Sequence, residues 1–257
     1  MGRLGSKRQK RMAAAQERAV EGPLPEFVTI GAQRSGTSFF HRLLVGHPLV
    51  RPAVVKELHF FDLHFAKGPG WYRRCFPPPD RKDGRKALRG EATPSYLFDP
   101  RVPERMAETI PDARLIALLR NPVDRAYAQY QMEKERGTER RAFAKATHDE
   151  MAGEEGFAYL ARGLYAEQLT RFAAFARRGR LLVLCSEDFF ARPREVFHRA
   201  LDFLDLPPSE PKHERPANKK AAARYGPMDP GTRRLLEEFF EPQNRRLYEL
   251  LGSDFGW

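Results

Sequence analysis

FVTIGAQRSGTSFFHRLL, residues 27–44, is the stretch that decides the fold. Its apolar beginning predicts a short buried strand, and a helix is predicted to begin at Thr37 and Ser38. Gly31 and Gly36 allow the chain to turn sharply between the two elements, and the free N–H groups at a helix start point at an anion. The stretch therefore predicts a phosphate-binding loop between a strand and a helix.

The cation of this loop stands in an unusual place. The glycine spacing and Ser38 nearly match the mononucleotide pattern G-x-x-x-x-G-K-[ST], but Thr37 occupies the lysine position and Arg34 lies three residues earlier. The lysine of that pattern reaches the β- and γ-phosphates, whereas Arg34, inside the turn, can reach a 5′-phosphate and the group attached to it. An ordinary glycine turn before a helix is the alternative interpretation.

Strands alternate with helices along the rest of the chain. Apolar runs predict strands near residues 53–55, 87–90, 114–119 and 181–184, and helical periodicity predicts helices near 102–110, from 123, over 156–178, 193–204 and 231–251. Pro242 predicts a bend or a break in the last helix. This alternation predicts an α/β fold, a three-layer sandwich of the P-loop type in which helices cover both faces of a mostly parallel sheet.

Length and charge limit the class of protein. The 257 residues, 41% of them hydrophobic, suit one large domain, which we place at residues 25–257. Residues 1–24 are polar and basic, and we interpret them as a flexible or weakly helical tail. The net charge of +11 suits anionic ligands such as nucleotides, sulfated sugars or nucleic acid, but it does not choose among them.

Location and metal content are also predicted from absences in the sequence. No apolar run approaches the roughly 18 residues of a membrane helix, and the N-terminus lacks the apolar segment of a secretory signal. The two cysteines, Cys75 and Cys185, fit free thiols in a reducing compartment rather than a disulfide framework or a metal site. We therefore expect a cytoplasmic protein without a membrane span or a metal.

Several motifs resemble one family. GAQRSGTSFF is similar to the 5′-phosphosulfate loop of sulfotransferases that use 3′-phosphoadenosine 5′-phosphosulfate (PAPS). Other segments follow in the order found in the heparan sulfate sulfotransferases and their bacterial relatives: KELHFFD (56–62), GWY (70–72), TPSYLF (93–98), PRVPERM (100–106) and LLRNPVDRAYAQY (118–130). The resemblance runs from about residue 26 to residue 257. It implies transfer of a sulfonate group from PAPS to a hydroxyl or amine, by in-line displacement, with no nucleic acid partner. A carbohydrate is the expected acceptor, and a lipid, a small metabolite or a protein tyrosine are the alternatives.

The resemblance also implies which residues hold the donor. It assigns the 3′-phosphate to Arg120, since a bidentate arginine at a strand's end suits a phosphate. Arginine does not donate its proton at ordinary pH, so Arg34 would act through its charge, and no metal is obligatory. The 5′-phosphosulfate is assigned to the loop residues Arg34, Ser35, Gly36, Thr37 and Ser38.

The sequence departs from the family at two positions. Ala128 stands where relatives often have a serine that binds the 3′-phosphate, and the late basic loop could supply that contact through Lys219, Lys220 or Arg215. Ala92 stands where some heparan-type enzymes carry a lysine on the substrate side. This second difference weakens any transfer of acceptor specificity from the relatives.

The general base has two candidates. Glu57 matches the glutamate that heparan-type enzymes use as the base, and we expect it at the carboxyl end of a strand beside the phosphate loop. His59 is the competitor, because on a continuing strand it would point the same way, and histidine titrates near neutrality. A surface ion pair between Glu57 and Lys56 is the alternative without catalysis.

Three residues are assigned to the acceptor side. Asp62 is expected to orient the neighbours of Glu57 or to bind substrate, and Trp71 and Tyr165 to contact the acceptor, with Tyr165 reaching the adenine as a second possibility. Packing in the core is the alternative for both aromatic residues.

Two other classes of function compete with the sulfotransferase. A nucleotide kinase or NTPase with a degenerate loop would need the missing lysine and a Mg²⁺-binding aspartate after a strand. A basic module that binds polyanions would show affinity that falls steeply with salt and does not depend on Arg34 or Glu57.

Overall fold

The structure is a computed structural model that describes residues 10–15, 17, 22–82, 84–212 and 226–257. Its main element is a five-stranded sheet in the order β2-β5-β1-β6-β7, in which every neighbouring pair is parallel. A separate antiparallel pair, β3 and β4, forms a small hairpin. The strands are β1 (Phe27–Gly31), β2 (Val50–Pro52), β3 (Arg81–Lys82), β4 (Arg85–Lys86), β5 (Leu88–Ala92), β6 (Arg114–Leu119) and β7 (Leu181–Cys185).

Helices connect the strands. A π-helical turn spans Phe60–His64, and 3₁₀ turns span Phe65–Lys67 and Ala161–Gly163. The α-helices are α1 (Thr37–Val45), α2 (Gly68–Arg73), α3 (Val102–Thr109), α4 (Pro122–Glu135), α5 (Phe143–Met151), α6 (Tyr165–Thr170), α7 (Ala173–Arg177), α8 (Ser186–Ala191), α9 (Pro193–Phe203) and α10 (Pro230–Leu251).

Each face of the sheet is buried against helices. Side chains of successive strand residues point to opposite faces, so Leu115 and Ala117 of β6 belong to one hydrophobic cluster while Ile116 and Leu118 belong to another. The first cluster includes residues of α3 and α6, and the second includes residues of α1 and α9. The predicted three-layer α/β sandwich is confirmed.

Two predicted elements differ in the structure. The second strand is β2, not residues 53–55, because the chain leaves the sheet there: the Val54 N–H donates to the Cys75 carbonyl. The helix predicted over 156–178 is broken into a 3₁₀ turn, α6 and α7. Ala158 has a φ of 55°, which a helix does not allow, and Gly163 lies so close to Phe240 that a Cβ there would be 2.8 Å from its ring.

Pro242 does not split α10. The helix continues through it as one element, and Pro242 lies on the exposed side, as does Glu238, whose carbonyl the proline leaves without an N–H. Water can satisfy that carbonyl, so the expected break is wrong.

The predicted boundary between a tail and a domain is not decided by the structure. In the described part of the tail, Ala15 is buried and Met12 packs against the core. The division into residues 1–24 and 25–257 stays a prediction. Among the described residues, no helix has both the length and the apolar character needed to cross a membrane.

Candidate active site

The phosphate loop, residues 31–38, has the predicted strand–turn–helix geometry. Gly36 has a φ of 86° and directly precedes α1, whose first turn contains no acidic residue. A Cβ on Gly36 would lie 2.8 Å from the Phe190 ring, and one on Gly31 would lie 2.6 Å from Leu97 Cβ. Only glycine fits these two positions, and the free N–H groups of the helix start face the loop.

Contacts from distant residues hold the loop in place. Arg120 Nη1 donates to the Arg34 carbonyl at 3.2 Å, and Ser186 Oγ donates to the Ser35 carbonyl at 2.8 Å. The Tyr165 hydroxyl donates to the Arg120 carbonyl at 2.9 Å. The structure therefore places Arg120 beside the loop and adds Ser186, for which no sequence motif provides a signal.

The loop has features that fit a phosphosulfate group. Ser35 is fully buried, and within the described part of the chain its Oγ has no hydrogen-bond partner. Thr37 is 4% exposed at the first position of α1. The Arg34 backbone has a φ of 71°, and its Nη1 lies 3.8 Å from Met132 Sδ on α4. Hydroxyl and N–H donors at a helix start, with an arginine beside them, suit an anion.

The base segment, residues 57–64, lies at the same edge of the sheet. The Glu57 N–H donates to the Ala92 carbonyl at 3.0 Å, at the carboxyl end of β5. The Glu57 side chain is 43% exposed, and its Oε1 lies 2.6 Å from Lys56 Nζ. The ion pair that the sequence offered as an alternative is therefore present, on a carboxylate that solvent reaches.

The predicted strand geometry around Glu57 is wrong. β2 ends at Pro52, and both Glu57 and His59 adopt left-handed backbone conformations, with φ of 64° and 56°. The alternation of a strand therefore does not relate the two side chains. The segment continues instead into the π-helical turn that begins at Phe60.

Asp62 pairs with His59, the second candidate for the general base. Its Oδ2 lies 2.9 Å from His59 Nδ1 and accepts a hydrogen bond of 2.6 Å from Ser95 Oγ. Burial acts to raise the pKa of Asp62, but the hydrogen bonds from His59 and Ser95 and the His59 charge together hold it below its usual value. The structure therefore places Asp62 against one ring nitrogen of His59, and its role in orienting neighbours of Glu57 or in binding substrate stays a prediction.

The two aromatic residues assigned to the acceptor are packed in the structure. The Trp71 ring stacks on Phe60 with 6.0 Å between centroids, and Lys67 Nζ lies 4.9 Å from the Trp71 ring centre. Tyr165 is 1% exposed, and burial raises the pKa of Tyr165 to about 12. Their contacts with a substrate stay predictions.

The late basic loop cannot be placed. Arg215, Lys219 and Lys220 lie outside the described residues, so their predicted contact with the 3′-phosphate is untested. Ala128 lies on α4 and is partly buried. Within the described ranges, no group of three or more His, Cys, Asp and Glu side chains could hold a metal ion.

Two buried polar residues near the site were missed. Glu91, on β5, is fully buried and accepts hydrogen bonds from Tyr72, Thr93 and Tyr96. His41, on α1, is 9% exposed, and its burial, with the Lys56 charge, lowers the pKa of His41 to about 4. The strand predicted near 87–90 gives no sign of these contacts, because Tyr72 and Tyr96, two partners of Glu91, come from other parts of the chain.

Comparison with known proteins identifies the family. A family model described as the sulfotransferase domain matches residues 24–221. The chain belongs to the PAPS-dependent sulfotransferase family. The resemblance seen in the motifs is confirmed, and the kinase and polyanion-binding alternatives are not needed.

Relatives and solved structures agree with this assignment. Human heparan sulfate glucosamine 3-O-sulfotransferase 6 is 31% identical over 91% of this chain and 73% of its own length. The mouse 3B1 enzyme is 30% identical over 91% of this chain, which spans only 65% of the length of that relative. The sulfotransferase from Alicyclobacillus acidocaldarius superposes with a TM-score of 0.76 and 28% identity, over 91% of this chain and 98% of that one.

Proposed function

We propose that this sulfotransferase transfers the sulfonate group of PAPS to a hydroxyl or amine of a carbohydrate, with Glu57 as the general base. The observation that carries the proposal is the position of Glu57. Its peptide N–H is bonded to the end of β5, next to β1 and the phosphate loop, and its carboxylate is 43% exposed. A substrate hydroxyl can reach such a carboxylate, whereas a buried one would be closed to it.

Each residue has a defined task in this proposal. PAPS supplies the sulfonate group and leaves as 3′-phosphoadenosine 5′-phosphate (PAP). The helix-start N–H groups, the Ser35 and Thr37 hydroxyls and Arg34 bind the 5′ end and neutralise the charge that develops on the departing phosphate. Arg120 binds the 3′-phosphate from the end of β6. Glu57 accepts the proton of the attacking hydroxyl or amine.

The choice of Glu57 over His59 is supported by exposure, because the Glu57 side chain is 43% exposed and the His59 side chain 24%. His59 Nδ1 faces Asp62 Oδ2, and the Asp62 carboxylate is only 6% exposed. Glu57 is paired with Lys56, and the Lys56 side chain is 24% exposed. A lysine head group moves readily on its flexible stem, so an approaching acceptor can displace it from Glu57.

The acceptor class is proposed from the relatives. Those at 30–31% identity are named as heparan sulfate glucosamine 3-O-sulfotransferases, and a carbohydrate is therefore the first class to test. Because Ala92 replaces the lysine that some of these enzymes carry, the particular acceptor of those relatives is not proposed for this chain.

The test is an acceptor screen with ³⁵S-labelled PAPS and purified protein. The panel contains heparan sulfate oligosaccharides, neutral amino sugars, a phenol and a tyrosine peptide, each without added Mg²⁺. Label transferred to a sugar supports the proposal. Label transferred only to the phenol or the peptide contradicts the carbohydrate acceptor, and no transfer to any of them with no binding of PAP contradicts the whole proposal.

The cytoplasmic location expected from the sequence stays a proposal. One relative from Dictyostelium discoideum, 26% identical over 93% of this chain and 68% of its own length, is named a membrane-associated sulfotransferase. That property belongs to the relative. Fractionation of the native cell, followed by detection of this chain, decides between the two locations.

A further inference from the structure

The base segment has a strained backbone that its own sequence does not explain. Glu57 and His59 both have φ near 60°, in the left-handed region that residues other than glycine rarely adopt. Such conformations persist only where surrounding contacts hold them. The peptide N–H groups of residues 57–61 are held by a single stretch, residues 91–96, whereas Arg105 holds the Phe61 carbonyl.

Five successive peptide N–H groups, those of residues 57–61, donate to residues 91–96. The pairs are Glu57 to the Ala92 carbonyl at 3.0 Å, Leu58 to the Glu91 carboxylate, His59 to Thr93 Oγ1 at 3.5 Å, and Phe60 and Phe61 to the Tyr96 hydroxyl at 2.8 and 3.4 Å. The backbone that presents Glu57 and His59 is therefore bonded to the last residues of β5 and to the residues that follow them.

Hydrogen bonding determines which way the hydroxyl hydrogens of Tyr96 and Thr93 point. The Tyr96 oxygen accepts from the peptide N–H groups, so its own hydrogen must go elsewhere, and it lies 3.1 Å from Glu91 Oε1. Thr93 Oγ1 likewise accepts from His59 and donates to Glu91 Oε2 at 2.7 Å. Both relays end on the same fully buried carboxylate, which needs only to accept.

We propose that Glu91 is a positioning residue of this sulfotransferase: through Tyr96 and Thr93 it fixes the backbone that carries Glu57. Glu91 does not touch substrate, because it is fully buried beneath the segment. This inference rests on the proposed role of Glu57 as the base. It gives the buried carboxylate a function that packing alone does not require, since an apolar side chain would fill the same space.

Tyr72 provides a matched control. Its hydroxyl also donates to Glu91 Oε1, at 2.7 Å, and Tyr72 and Tyr96 are both fully buried. Of these two tyrosines, only Tyr96 accepts hydrogen bonds from the peptide N–H groups of Phe60 and Phe61. Tyr72→Phe and Tyr96→Phe thus each remove one hydroxyl and one hydrogen bond to the same carboxylate oxygen, but only the second releases the base segment.

The first experiment measures amide hydrogen exchange in the two variants, with no acceptor present. Tyr96→Phe is expected to speed exchange at Phe60 and Phe61, whereas Tyr72→Phe leaves these two amides protected as in the wild type. Equal exchange at these amides in both variants would overturn the relay. This result does not depend on which reaction the enzyme catalyses.

The second experiment compares turnover at saturating PAPS with the acceptor found in the screen. Tyr96→Phe is expected to lower kcat by about tenfold or more, because a small misplacement of a catalytic group has a large effect, while Tyr72→Phe changes it less than about threefold. The KM for PAPS and the affinity for PAP stay at the wild-type values in both. Equal losses of kcat, or a loss of PAP affinity matching that of kcat, would show a general structural effect and overturn the positioning role.

Replacement of the carboxylate itself completes the set. Glu91→Gln places an N–H donor against groups that already donate, so it is expected to match Tyr96→Phe in both exchange and kcat. Should Glu91→Gln not fold, the two tyrosine variants still test the hydrogen bonds through which Glu91 acts on the segment. A wild-type protein that neither binds PAP nor sulfates any acceptor contradicts the proposed function, whereas the exchange comparison then still tests the relay.

Discussion

The phosphate loop and the base segment lie at the same edge of the sheet but are built in different ways. The loop follows a buried strand, turns at glycines and ends in a helix, all within residues 27–45. The base segment follows no strand and takes its shape from hydrogen bonds to residues 91–96. A site for an anion can therefore be encoded locally, whereas the carboxylate proposed as the base beside it is placed by a distant part of the chain.

The two regions also meet electrostatically. Lys56 pairs with Glu57 in the base segment, and its charge contributes to the low pKa of His41 on α1, which follows the phosphate loop. The division of labour proposed here is that the loop binds the donor while the segment activates the acceptor. Four experiments test predictions about these two regions.

Loss of the base is expected to have the largest effect. Glu57→Gln keeps the size of the side chain but cannot accept a proton, so turnover should fall by roughly two to four orders of magnitude. Affinity for PAP, measured by calorimetry, should stay nearly unchanged because the loop is intact. His59→Ala should lower turnover less.

Two results with this pair of variants would contradict the prediction. If His59→Ala abolishes turnover and Glu57→Gln does not, His59 is the base. If both variants also lose PAP binding, the segment shapes the donor site and the two regions are not functionally separate.

Removal of the loop cation comes next. Arg34→Ala should lower kcat by about a hundredfold or more, because the departing phosphate loses an electrostatic partner. Arg34→Lys should retain part of the activity, since many relatives have lysine there. Steady-state kinetics on both variants provide the measurement, and near-normal turnover of Arg34→Ala would remove the loop cation from the mechanism.

The third prediction concerns pH and His41. The unfolded chain binds the His41 proton near pH 6.5 and the folded protein only near pH 4, so between these values the unfolded state holds more protons. The free energy of unfolding should therefore fall as the pH drops from about 6.5 to about 4, by on the order of 3 kcal/mol from this group.

Urea unfolding of the wild type and of His41→Gln at a series of pH values isolates the effect. The difference between the two proteins should change across that window and be constant above pH 7. Parallel curves for the two proteins would show that His41 is not the titrating group.

The smallest expected effect concerns the 3′-phosphate. PAP at about 100 times its dissociation constant should add roughly 2.7 kcal/mol to the stability, and adenosine 5′-phosphate at the same concentration should add much less. Thermal unfolding with each nucleotide measures this, and in Arg120→Ala the two should become alike. Equal shifts of the unfolding temperature with both nucleotides in the wild type would contradict the binding of the 3′-phosphate by Arg120. The role of Arg120 would then be only structural, through its hydrogen bond to the Arg34 carbonyl.

Much of the fold follows from local sequence. The runs that became β1, β6 and β7 are apolar and bounded by turn residues, and a buried parallel strand needs little more. The helix at Thr37 follows from the glycine before it. The second strand was misplaced because three-residue β2 leaves a weak pattern, and the helix predicted over 156–178 was too long because its periodicity is the same on either side of the turn at 161–163.

The anion loop and the order of strands and helices along the chain could be predicted from the sequence alone, and the family could be predicted from the resemblance of its motifs. The backbone conformation and position of Glu57, in contrast, depend on the tertiary structure. Left-handed conformations at Glu57 and His59 are unfavourable locally, so no local pattern predicts them. They exist because Glu91, Thr93 and Tyr96, more than thirty residues away along the chain, are brought next to them by the pairing of β5 with β2, the strand that precedes this segment. Hydrogen bonds between residues so far apart in the sequence leave no periodic pattern from which they could be predicted.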